Sequence, residues 1–448
     1  MSAVNALKPN GFVIQSLDGS KSVDLAGSSS IMFLDYFEDI LSPSITMTIQ
    51  VMNSTSLVNL LPIRGGEKVF LSVDTGFGKF EFDGENSLYV YKVSGISPDS
   101  TSEMFTLNLV SREALTNETV RCVKRYGGTI DQSVTAILKD ILKTKKYKAE
   151  NIEKTLNSYA FIGNQKKPFH ILTWLGPKSI PTTSKSSGVS GNGVSSEGKG
   201  IAGFLFYENK DGFNFRSIDS LVKNTRVQTG SSNSENIQKY YYTQVTEHNK
   251  PVNNYKILNY SFEKNNNLLT NLRVGMYSSK TYFYDLYKNK LNIYKYTLKD
   301  EIRNANVLSG DSSIAVSKEF GESVSRIMIR TSDIGVMDNT VEGDSKIDDK
   351  TNMRDEADMA KSFSRYNLLF TQALNMVVPC NVTLKAGDII YAEFPKIDRS
   401  DKKEADPQQS GNYLIKELRH HMEPGQMVTS LRLIRDSYGL YSSNNVQY

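Results

Sequence analysis

The sequence predicts a mainly β protein with an α+β insertion, in which two similar antiparallel β-barrels flank a helical and hairpin middle region. Short runs of alternating polar and apolar residues near both ends of the chain predict the strands. One segment between them has helical periodicity instead. The two β regions also resemble each other in the order and spacing of their motifs. A chain of 448 residues is long enough for about three domains.

The composition is that of an ordered globular chain, with 39% hydrophobic and 23% charged residues. The 53 basic and 49 acidic residues leave a formal charge of +4, which argues against a dedicated nucleic-acid binder. No stretch reaches the roughly 18 apolar residues of a membrane span, and the first ten residues lack a secretion-signal pattern. Two cysteines cannot build a disulfide framework or a four-thiolate zinc site.

The first β region begins with Ser44–Val51, where polar and apolar side chains alternate as a half-buried strand requires. Similar runs follow, separated by glycine-containing turns, and they are Val69–Asp74, Lys79–Phe82, Leu88–Val93 and Met104–Val110. Several short strands at this spacing predict an antiparallel barrel or sandwich, and we assign residues 1–117 to a barrel.

The pattern changes to helical after Gly127-Gly128. One helical face is formed by residues at i, i+3, i+4, i+7 and i+8, with Asp131 expected as the N-cap: Val134, Ile137, Leu138, Ile141 and Leu142. A second short helix is expected to begin at Pro168, since proline suits the first helical turn. Residues 118–180 are therefore predicted to form a helical insertion.

The insertion continues to residue 250. Residues 182–200 are rich in serine and glycine, so we expect a flexible loop. Phe204–Tyr207 and Gly212–Phe215 flank a turn and are expected to pair as a hairpin.

The remaining chain is expected to complete a second barrel. The predicted divisions are 251–310, its first strands; 311–366, a linker with an acidic segment at 338–358 and a helix; 367–436, its remaining strands; and 437–448, a tail. The helix is expected over Asp355–Tyr366.

The two β regions form an internal repeat. Gly66-Glu67-Lys68-Val69 corresponds to Gly387-Asp388-Ile389-Ile390, and Leu107–Arg112 corresponds to Leu431–Arg435. Between these motifs, Tyr89–Val93 corresponds to Tyr413–Leu418, so three matches occur in the same order. Two copies of one barrel in a chain can occupy near-equivalent positions in a ring, so a cyclic trimer would present six similar barrels.

Four segments resemble a known family: Val382–Ile390, Ser410–Ile415, His421 and Leu431–Asp436. They are similar to the C-terminal barrel of baseplate central hub proteins of contractile-tailed, T-even-type bacteriophages. The order barrel, helical insertion, barrel is also similar, with Thr129–Ser133 opening the first helix and Pro168-Phe169 the second.

The resemblance implies a homotrimeric structural protein at the axis of the tail baseplate, assembled in the host cytoplasm. Its expected partners are itself, the tail tube protein, the central spike protein and the surrounding wedge proteins. Genomic DNA would pass along the axis without specific binding, and no stable membrane insertion is expected. The resemblance supplies no catalytic, cofactor-binding or metal-binding residues, so none are predicted, and no enzyme activity or cofactor is expected.

The residues themselves offer few alternatives for catalysis. The glycines at 65–66 and 76–78 lack the spacing of a phosphate loop, and residues 188–192 lack the last glycine of a nucleophile elbow. Two acidic pairs, Glu38-Asp39 and Asp355-Glu356, consist of sequence neighbours that point in different directions. We therefore interpret both pairs as solvated surface.

Histidine and cysteine side chains are further candidates for metal binding. His420 and His421 are adjacent in a strand and face opposite sides, which argues against a shared metal, so we expect one to be buried and hydrogen-bonded and the other exposed. The other two histidines are His170 and His248. Cys122 and Cys380 are expected to be small buried residues.

Basic side chains could face nucleic acid or protein partners, and they are Lys143, Lys145, Lys146, Lys148, Lys416, Arg419, Arg432 and Arg435.

Two alternative functions remain open on the sequence. The hub of a type VI-like secretion system or another contractile injection particle would be chemically similar. A carbohydrate-binding or cell-wall-cleaving tail protein would need exposed aromatic residues beside a paired acid. Trp174 is the only tryptophan, and its expected place on a short helix near the core argues against sugar stacking.

Overall fold

A computed structural model of the chain describes thirteen segments: residues 9–26, 29–53, 63–98, 102–182, 201–223, 237–242, 254–264, 267–286, 289–302, 305–308, 316–331, 356–396 and 405–437.

Most elements of the structure are strands. In chain order they are β1 Pro9–Gln15, β2 Ser22–Asp24, β3 Ser29–Asp39, β4 Thr46–Asn53, β5 Lys68–Thr75, β6 Gly78–Phe82, β7 Leu88–Pro98, β8 Glu103–Ser111, β9 Arg125–Tyr126, β10 Tyr147–Ile152, β11 Phe161–Ile162, β12 Phe204–Asn209, β13 Gly212–Ser217, β14 Gln238–Tyr241, β15 Asn259–Lys264, β16 Ser278–Asp285, β17 Lys290–Thr297, β18 Arg326–Thr331, β19 Gln372–Pro379, β20 Ile389–Glu393, β21 Gly411–Glu423 and β22 Gln426–Arg435.

The helices are short apart from the last. They are α1 Arg112–Thr119, α2 Ile130–Ala136, α3 Pro168–Leu175, α4 Ile218–Lys223, α5 Leu268–Arg273, α6 Leu298–Glu301, α7 Lys318–Glu322 and α8 Glu356–Leu369. A π-helical turn, Ile137–Ile141, continues α2, and 3₁₀ turns occupy Gly84–Asn86 and Gly176–Lys178.

Both β regions belong to one 14-stranded sheet. The first region, here called unit 1, contributes the path β3-β4-β8-β7-β5, with β1 and β6 on β5 and β2 on β1. The second, unit 2, contributes β15-β19-β22-β21-β20, with β14 on β20. In both paths each strand is antiparallel to its neighbours. Both paths also have the same order, in which the first, second, fifth, fourth and third strands along the chain lie side by side. The predicted fold class and the internal repeat are confirmed.

The repeat extends to a β-bulge at the same place in each unit. The register of β7 with β8 shifts between Val90 and Lys92, and that of β21 with β22 shifts between Ile415 and Glu417. A bulge leaves one extra residue on one strand and increases the local twist. The two units are therefore bent at equivalent positions.

The turn before β5 in unit 1 is also repeated before β20 in unit 2. Gly66 N donates to Val90 O at 2.7 Å, and Gly387 N donates to Ile415 O at 2.9 Å. Both glycines have positive φ, +96° and +91°, a conformation that L side chains rarely adopt. The glycines of the sequence repeat are therefore required by the same turn.

An acidic residue follows each of these glycines and closes the turn. Glu67 accepts hydrogen bonds from the backbone N of Arg64 at 2.8 Å, and Asp388 accepts one from the backbone N of Lys385 at 3.0 Å. Arg64 and Lys385 each lie three residues before the carboxylate. The local sequence thus encodes the same carboxylate-capped turn twice.

The units differ at their edges. β1 pairs with β5 antiparallel, whereas β14 pairs with β20 parallel. Unit 2 is closed by residues 256–258, since Ile257 N donates to Tyr241 O of β14 and Leu258 N donates to Val377 O of β19. Hydrogen bonds thus run around the whole of unit 2, as in a barrel.

One prediction about unit 2 is wrong. Residues 251–310 were expected to supply its first strands, but only β15 joins it. β16 and β17 instead form a separate three-stranded sheet with β18. β14, which lies in the predicted insertion, belongs to unit 2. Alternation identifies a strand but not its partner, so the separate sheet could not be recognised.

The insertion mixes helices with short strands. The hairpin β12–β13 and the start of α3 at Pro168 are confirmed. The N-cap of α2 is Thr129 and not Asp131, which lies in the first turn. Asp131 instead accepts hydrogen bonds from the backbone N and hydroxyl of Thr155. The predicted loop 182–200 lies outside the described residues from 183 onward.

The cores follow this division. One hydrophobic cluster runs through both units, built from the inward side chains of alternating strand positions such as Leu107 and Leu109 of β8 and Leu431 and Leu433 of β22. A second cluster fills the insertion, where the predicted helix residues Val134, Ile137, Leu138 and Leu142 are buried. Ile141 is only partly buried against it.

The repeated turn glycine gives a first testable prediction. A Cβ at Gly387 would meet Tyr207 Oη of the insertion hairpin, whereas a Cβ at Gly425, whose φ of +94° is similar, would meet nothing within 4 Å. We expect Gly425→Ala to lower the free energy of unfolding by about 1–2 kcal/mol. Gly387→Ala should lower it by about 1–3 kcal/mol more, because the crowded site must shift.

Urea unfolding of the two variants tests this expectation. Tyr207→Phe in the Gly387→Ala background removes the hydroxyl and should recover part of the loss. Equal losses for the two glycine variants would show that Tyr207 of the hairpin does not pack closely against this turn.

Candidate functional site

The candidate functional site is the joint between the two units, where β3 of unit 1 pairs with β21 of unit 2. The pairing is antiparallel and runs from Asp39 opposite Glu417 to Leu34 opposite Met422. β21 is long enough, at 13 residues, to pair with β20 through its first half and with β3 through its second. The joint makes the two units one continuous sheet.

Ion pairs cover the joint on the face of the sheet that points away from the core, here called the polar face. Arg419 of β21 binds Asp35 of β3 in a bidentate arrangement, with Nε–Oδ1 at 2.7 Å and Nη2–Oδ2 at 2.8 Å. His421 Nδ1 lies 2.7 Å from the same Asp35 Oδ1. Planar bidentate pairs add geometric specificity, so they favour one register of the joint.

Two further cations on the sheet are paired with carboxylates. Lys416 Nζ lies 3.0 Å from Asp39 Oδ2, across the joint. Arg432 Nη2 lies 2.7 Å from Glu263 Oε1 of β15. An open groove of about 380 Å³ lies between these pairs on the polar face, with Phe37 and Asn375 in its lining. Positive charge on this part of the face is therefore neutralised by neighbouring carboxylates.

A buried carboxylate fixes the other face of the joint. Glu38 of β3 is 2% exposed, and its Oε1 accepts hydrogen bonds from Tyr36 Oη at 2.7 Å and Lys210 N at 2.6 Å. Its Oε2 accepts one from Ala386 N at 2.7 Å. Burial raises the pKa of Glu38 to about 7, against the opposing effect of these three donors. Glu38 thereby ties unit 1 to the insertion hairpin and to the repeated turn of unit 2.

A second buried carboxylate attaches the same hairpin to unit 1. Glu208 of β12 accepts a hydrogen bond from Ile45 N at 3.2 Å, and its other oxygen lies 3.5 Å from Lys146 Nζ. Lys146 also lies 3.4 Å from Glu113 of α1. Burial raises the pKa of Glu208 to about 7, while Lys146 opposes the shift. The hairpin is thus held by polar groups that water does not reach.

A third buried cluster joins the insertion to the end of unit 2. Arg365 of α8 is 1% exposed and donates to Asp436 Oδ2 at 2.8 Å and to Asn306 O at 2.7 Å. Its Nη2 also lies 3.3 Å from Asp219 Oδ1 of α4. Asp219 accepts further hydrogen bonds from backbone N atoms at Ile201 and Asn306, and burial raises its pKa. Four chain segments meet at one guanidinium.

The predicted histidine arrangement is confirmed in part. His420 is buried, lies 2.8 Å from Thr429 Oγ1 and stacks on Tyr36 at 5.9 Å between ring centroids. Burial lowers the pKa of His420 to about 3, so it stays neutral at physiological pH. His421 points to the opposite side, but it is paired with Asp35 rather than freely exposed.

The basic residues singled out in the sequence have different surroundings. Lys416, Arg419 and Arg432 form the ion pairs described above. Arg435 is buried, with its guanidinium over the Tyr413 ring. Of the lysine group at 143–148, Lys146 is buried in its carboxylate pair and Lys145 forms an exposed pair with Glu85.

The other candidates behave as packing residues. Cys122 and Cys380 are buried, and burial raises the pKa of each thiol, as expected for unreactive cysteines. Trp174 lies on α3 as predicted, but it is 39% exposed and not in the core. Its ring contacts Tyr159 and Phe161, and Lys178 lies over it.

The interpretation of Glu38-Asp39 as solvated surface is correct for only one of the two residues. Asp39 is partly exposed, as expected, but its neighbour Glu38 is a buried structural group. Gly65 and Gly66 form a turn, as do Gly76 and Gly78 between β5 and β6. Asp355, residues 188–192 and His248 lie outside the described residues.

Sequence reasoning missed Glu208 and Arg365 altogether. A charged residue directly after the apolar run Phe204–Tyr207 was one available signal for Glu208, because such strands are buried on both faces. Arg365 gave no comparable signal, since its carboxylate partners are 71 and 146 residues away.

The described residues contain no group of three or more histidine, cysteine, aspartate or glutamate side chains arranged to hold a metal ion. They also contain no helix long and apolar enough to cross a membrane.

Comparison with known proteins finds a likeness to a phage baseplate protein. The chain is 22% identical over 438 residues to a protein of Vibrio phage KVP40 named "Probable baseplate hub protein gp334", covering 95% of this chain and 93% of the relative. The predicted resemblance to baseplate hub proteins is confirmed. No protein-family model matches the chain.

Solved structures show a weaker likeness. A tail protein from Neisseria meningitidis MC58 has a TM-score of 0.49 and 11% identity, covering 95% of this chain and 97% of that one. A 43 kDa tail protein of prophage MuSo2 from Shewanella oneidensis has a TM-score of 0.49 and 9% identity, covering 95% and 98%.

The raised pKa of Glu38 gives a prediction with a definite sign. A carboxyl whose pKa is about 7 when folded and near 4.5 when unfolded binds more protons in the folded state. Its contribution to stability is fully present below about pH 4.5 and is lost as pH rises through about 7. Relative to Glu38→Gln, which cannot ionise, the wild-type protein should lose up to about 1.4 kcal/mol per pH unit across this range.

Chemical unfolding of both proteins at pH 4.5, 5.5, 6.5 and 7.5 measures this difference. Glu81→Gln, which changes an exposed pair with Lys79, is the control and should follow the wild type. Stability of the wild type that increases relative to Glu38→Gln as pH rises would mean that the three donors outweigh burial.

The Arg365 cluster gives a second prediction. Arg365→Met removes the cation and leaves the carboxylates of Asp219 and Asp436 buried without it, so we expect a loss of about 3–5 kcal/mol in the free energy of unfolding. Arg432→Met, at a half-exposed pair with Glu263, should cost about 1 kcal/mol or less. Urea unfolding at pH 7 compares the two variants, and similar losses would exclude the cluster as a structural anchor.

Proposed function

We propose that this protein is the trimeric central hub of a phage tail baseplate, a structural protein without enzymatic activity of its own. It would join the tail tube to the central spike and adapt the three-fold symmetry of the spike to the quasi-six-fold symmetry of the tube. Its place would be the baseplate of the virion, after assembly in the host cytoplasm. The fold and the likeness to a baseplate hub protein support this proposal.

The repeated unit is the single observation that carries the proposal. Units 1 and 2 have the same strand order, the same bulge and the same glycine turn, and they are joined side by side in one sheet. Three copies of such a chain supply six similar units to a ring. A six-fold partner can then bind one rim, while the insertions, which are present once per chain, keep three-fold symmetry for the spike.

The polar face suits the wall of a channel for DNA. Several free cations on such a wall would hold the phosphates of passing DNA, because affinity rises with the number of contacts. Lys416, Arg419 and Arg432 are instead paired with carboxylates. A neutralised polar wall lets a polyanion pass without tight binding.

The proposed partners follow from the same arrangement. The tail tube protein would bind the rim of the ring, the spike protein would bind below it, and wedge proteins would surround the insertions. The partners would contact large areas of obligate interface, as expected for stable assemblies.

The oligomeric state tests the proposal directly. We expect light scattering on the purified protein at micromolar concentration to give a mass three times that of the 50.2 kDa chain, independent of moderate dilution. The spike protein of the same virus is added as a second condition. A monomer both with and without the spike protein would overturn the proposal.

A further inference from the structure

The separate three-stranded sheet has one face that the described residues leave open. In the order β17-β16-β18, β17 is antiparallel to β16 and β18 is parallel to it. Two neighbouring rows of side chains define this face, here called the open face, and they are Lys295-Lys280-Ile327 and Ile293-Tyr282-Ile329. Ile293 and Ile327 are more than half exposed, and Ile329 is 80% exposed. Contiguous exposed apolar side chains of this kind mark interaction sites.

The opposite face of the sheet is covered by α8. On β18, Arg326 and Arg330 alternate with the isoleucines of the open face and reach this helix. The Arg326 guanidinium lies over the Phe363 ring at 4.9 Å, and Arg330 Nη1 lies 3.4 Å from Met359 Sδ. Parallel pairing, as between β16 and β18, usually occurs in sheets that are covered on both faces. The open face lacks the second covering layer.

One α-helix matches the size of the open face. Neighbouring strands lie about 4.8 Å apart, so β17 and β18 are about 10 Å from each other, which is the diameter of a helix with its side chains. The next row continues the apolar surface with Leu291 and Tyr284. From Lys280 to Tyr284 the strand extends about 13 Å, and a helix covers that distance with about nine residues.

The described part of the chain offers no free helix of this length. Only two helical stretches within it exceed eight residues. α8 packs on the opposite face, and α2 with its π-helical turn has its apolar residues in the insertion core. A second copy of the open face could not cover the first in a closed trimer, because contacts in a three-membered ring are head-to-tail. These arguments favour a helix of another protein.

Two cations mark one end of the open face. Lys280 and Lys295 lie directly opposite each other in the register, where like charges destabilise a sheet. Lys280 Nζ lies 5.0 Å from the centroid of the Tyr282 ring, so the ammonium lies along the face. Lys295 is within electrostatic range of Glu322, but this carboxylate is paired with Lys299 at 3.1 Å. A carboxylate supplied by a partner would relieve the repulsion between the two cations.

We propose that the open face binds a helix of another baseplate protein. The helix would be apolar along one side over about nine residues. It would carry an aspartate or glutamate at the end that lies next to Lys280 and Lys295. The inference rests on the proposed function, because the partner is expected in the assembled baseplate. Binding would place the sheet between two helices, α8 and that of the partner.

Thiol labelling of the variant Ile329→Cys tests whether the face is covered. Ile329 is highly exposed, so its replacement should leave the fold intact, and Cys122 and Cys380 are buried. We expect maleimide to label the purified variant rapidly. In purified tails that contain the same variant, labelling should be about tenfold slower or more, because it then requires the helix to leave. The wild-type protein measures the background, and denatured tails give the total thiol.

Carbodiimide coupling tests the chemistry of the partner. The reagent joins an amine to a carboxylate that touches it, so treated tails should yield a peptide in which Lys280 or Lys295 is linked to an acidic residue of another protein. The matched control is Lys280→Arg/Lys295→Arg, which keeps both charges but supplies no amine. This control should lose the cross-link and, combined with Ile329→Cys, should keep the slow labelling.

The contrary results can be told apart. Tails without this protein would overturn the proposed function as well, whereas tails that contain it and label as rapidly as the purified protein would overturn the inference alone. Slow labelling of the purified protein would show that the chain covers its own face. A cross-link to a second copy would contradict the choice of partner. Equal slowing by vesicles of phosphatidylglycerol and phosphatidylethanolamine would identify a lipid surface instead.

Discussion

The antiparallel pairing of β3 with β21 is the constraint on which the rest of the structure depends. Backbone pairing between strands is directional and fixes the register, so it sets the position of one unit against the other. A slip of one residue would turn Glu38 toward the polar face and Asp35 into the core. The Arg419–Asp35 pair on one face and the stacking of His420 on Tyr36 on the other both favour the observed register.

The insertion acts as a clamp on this joint. Its hairpin reaches Glu38 through the backbone of Lys210, the repeated turn through Tyr207, and the start of β4 through Glu208. Buried polar contacts of this kind add little net stability, since burial of the charges offsets their attraction, but each requires a particular geometry. We therefore interpret the clamp as a device for positioning. The relative arrangement of two similar units is what a symmetry adaptor must hold constant.

Local sequence was sufficient for much of this architecture. Alternation located most strands of both units, and Gly66 and Gly387 marked the repeated turn because positive φ there requires glycine. Pro168 marked the start of α3. The separate sheet of β16, β17 and β18 was assigned to the wrong unit, because a two-residue period specifies burial but not the neighbouring strand.

The joint itself was beyond local reasoning. Glu38 looked like a solvated surface residue. Two distant segments, around Lys210 and Ala386, together with Tyr36 on the same strand, make it a buried acceptor. Arg365 likewise depends on carboxylates far away in sequence.

A cryo-electron microscopy map of the purified oligomer at side-chain detail tests the central claim most directly. If the two units are equivalent building blocks, six of them should lie at one radius around an open axis, with the same rotation between neighbours within and between chains. Units at different radii, or rotations that differ inside and between chains, would contradict the account even in a three-fold particle.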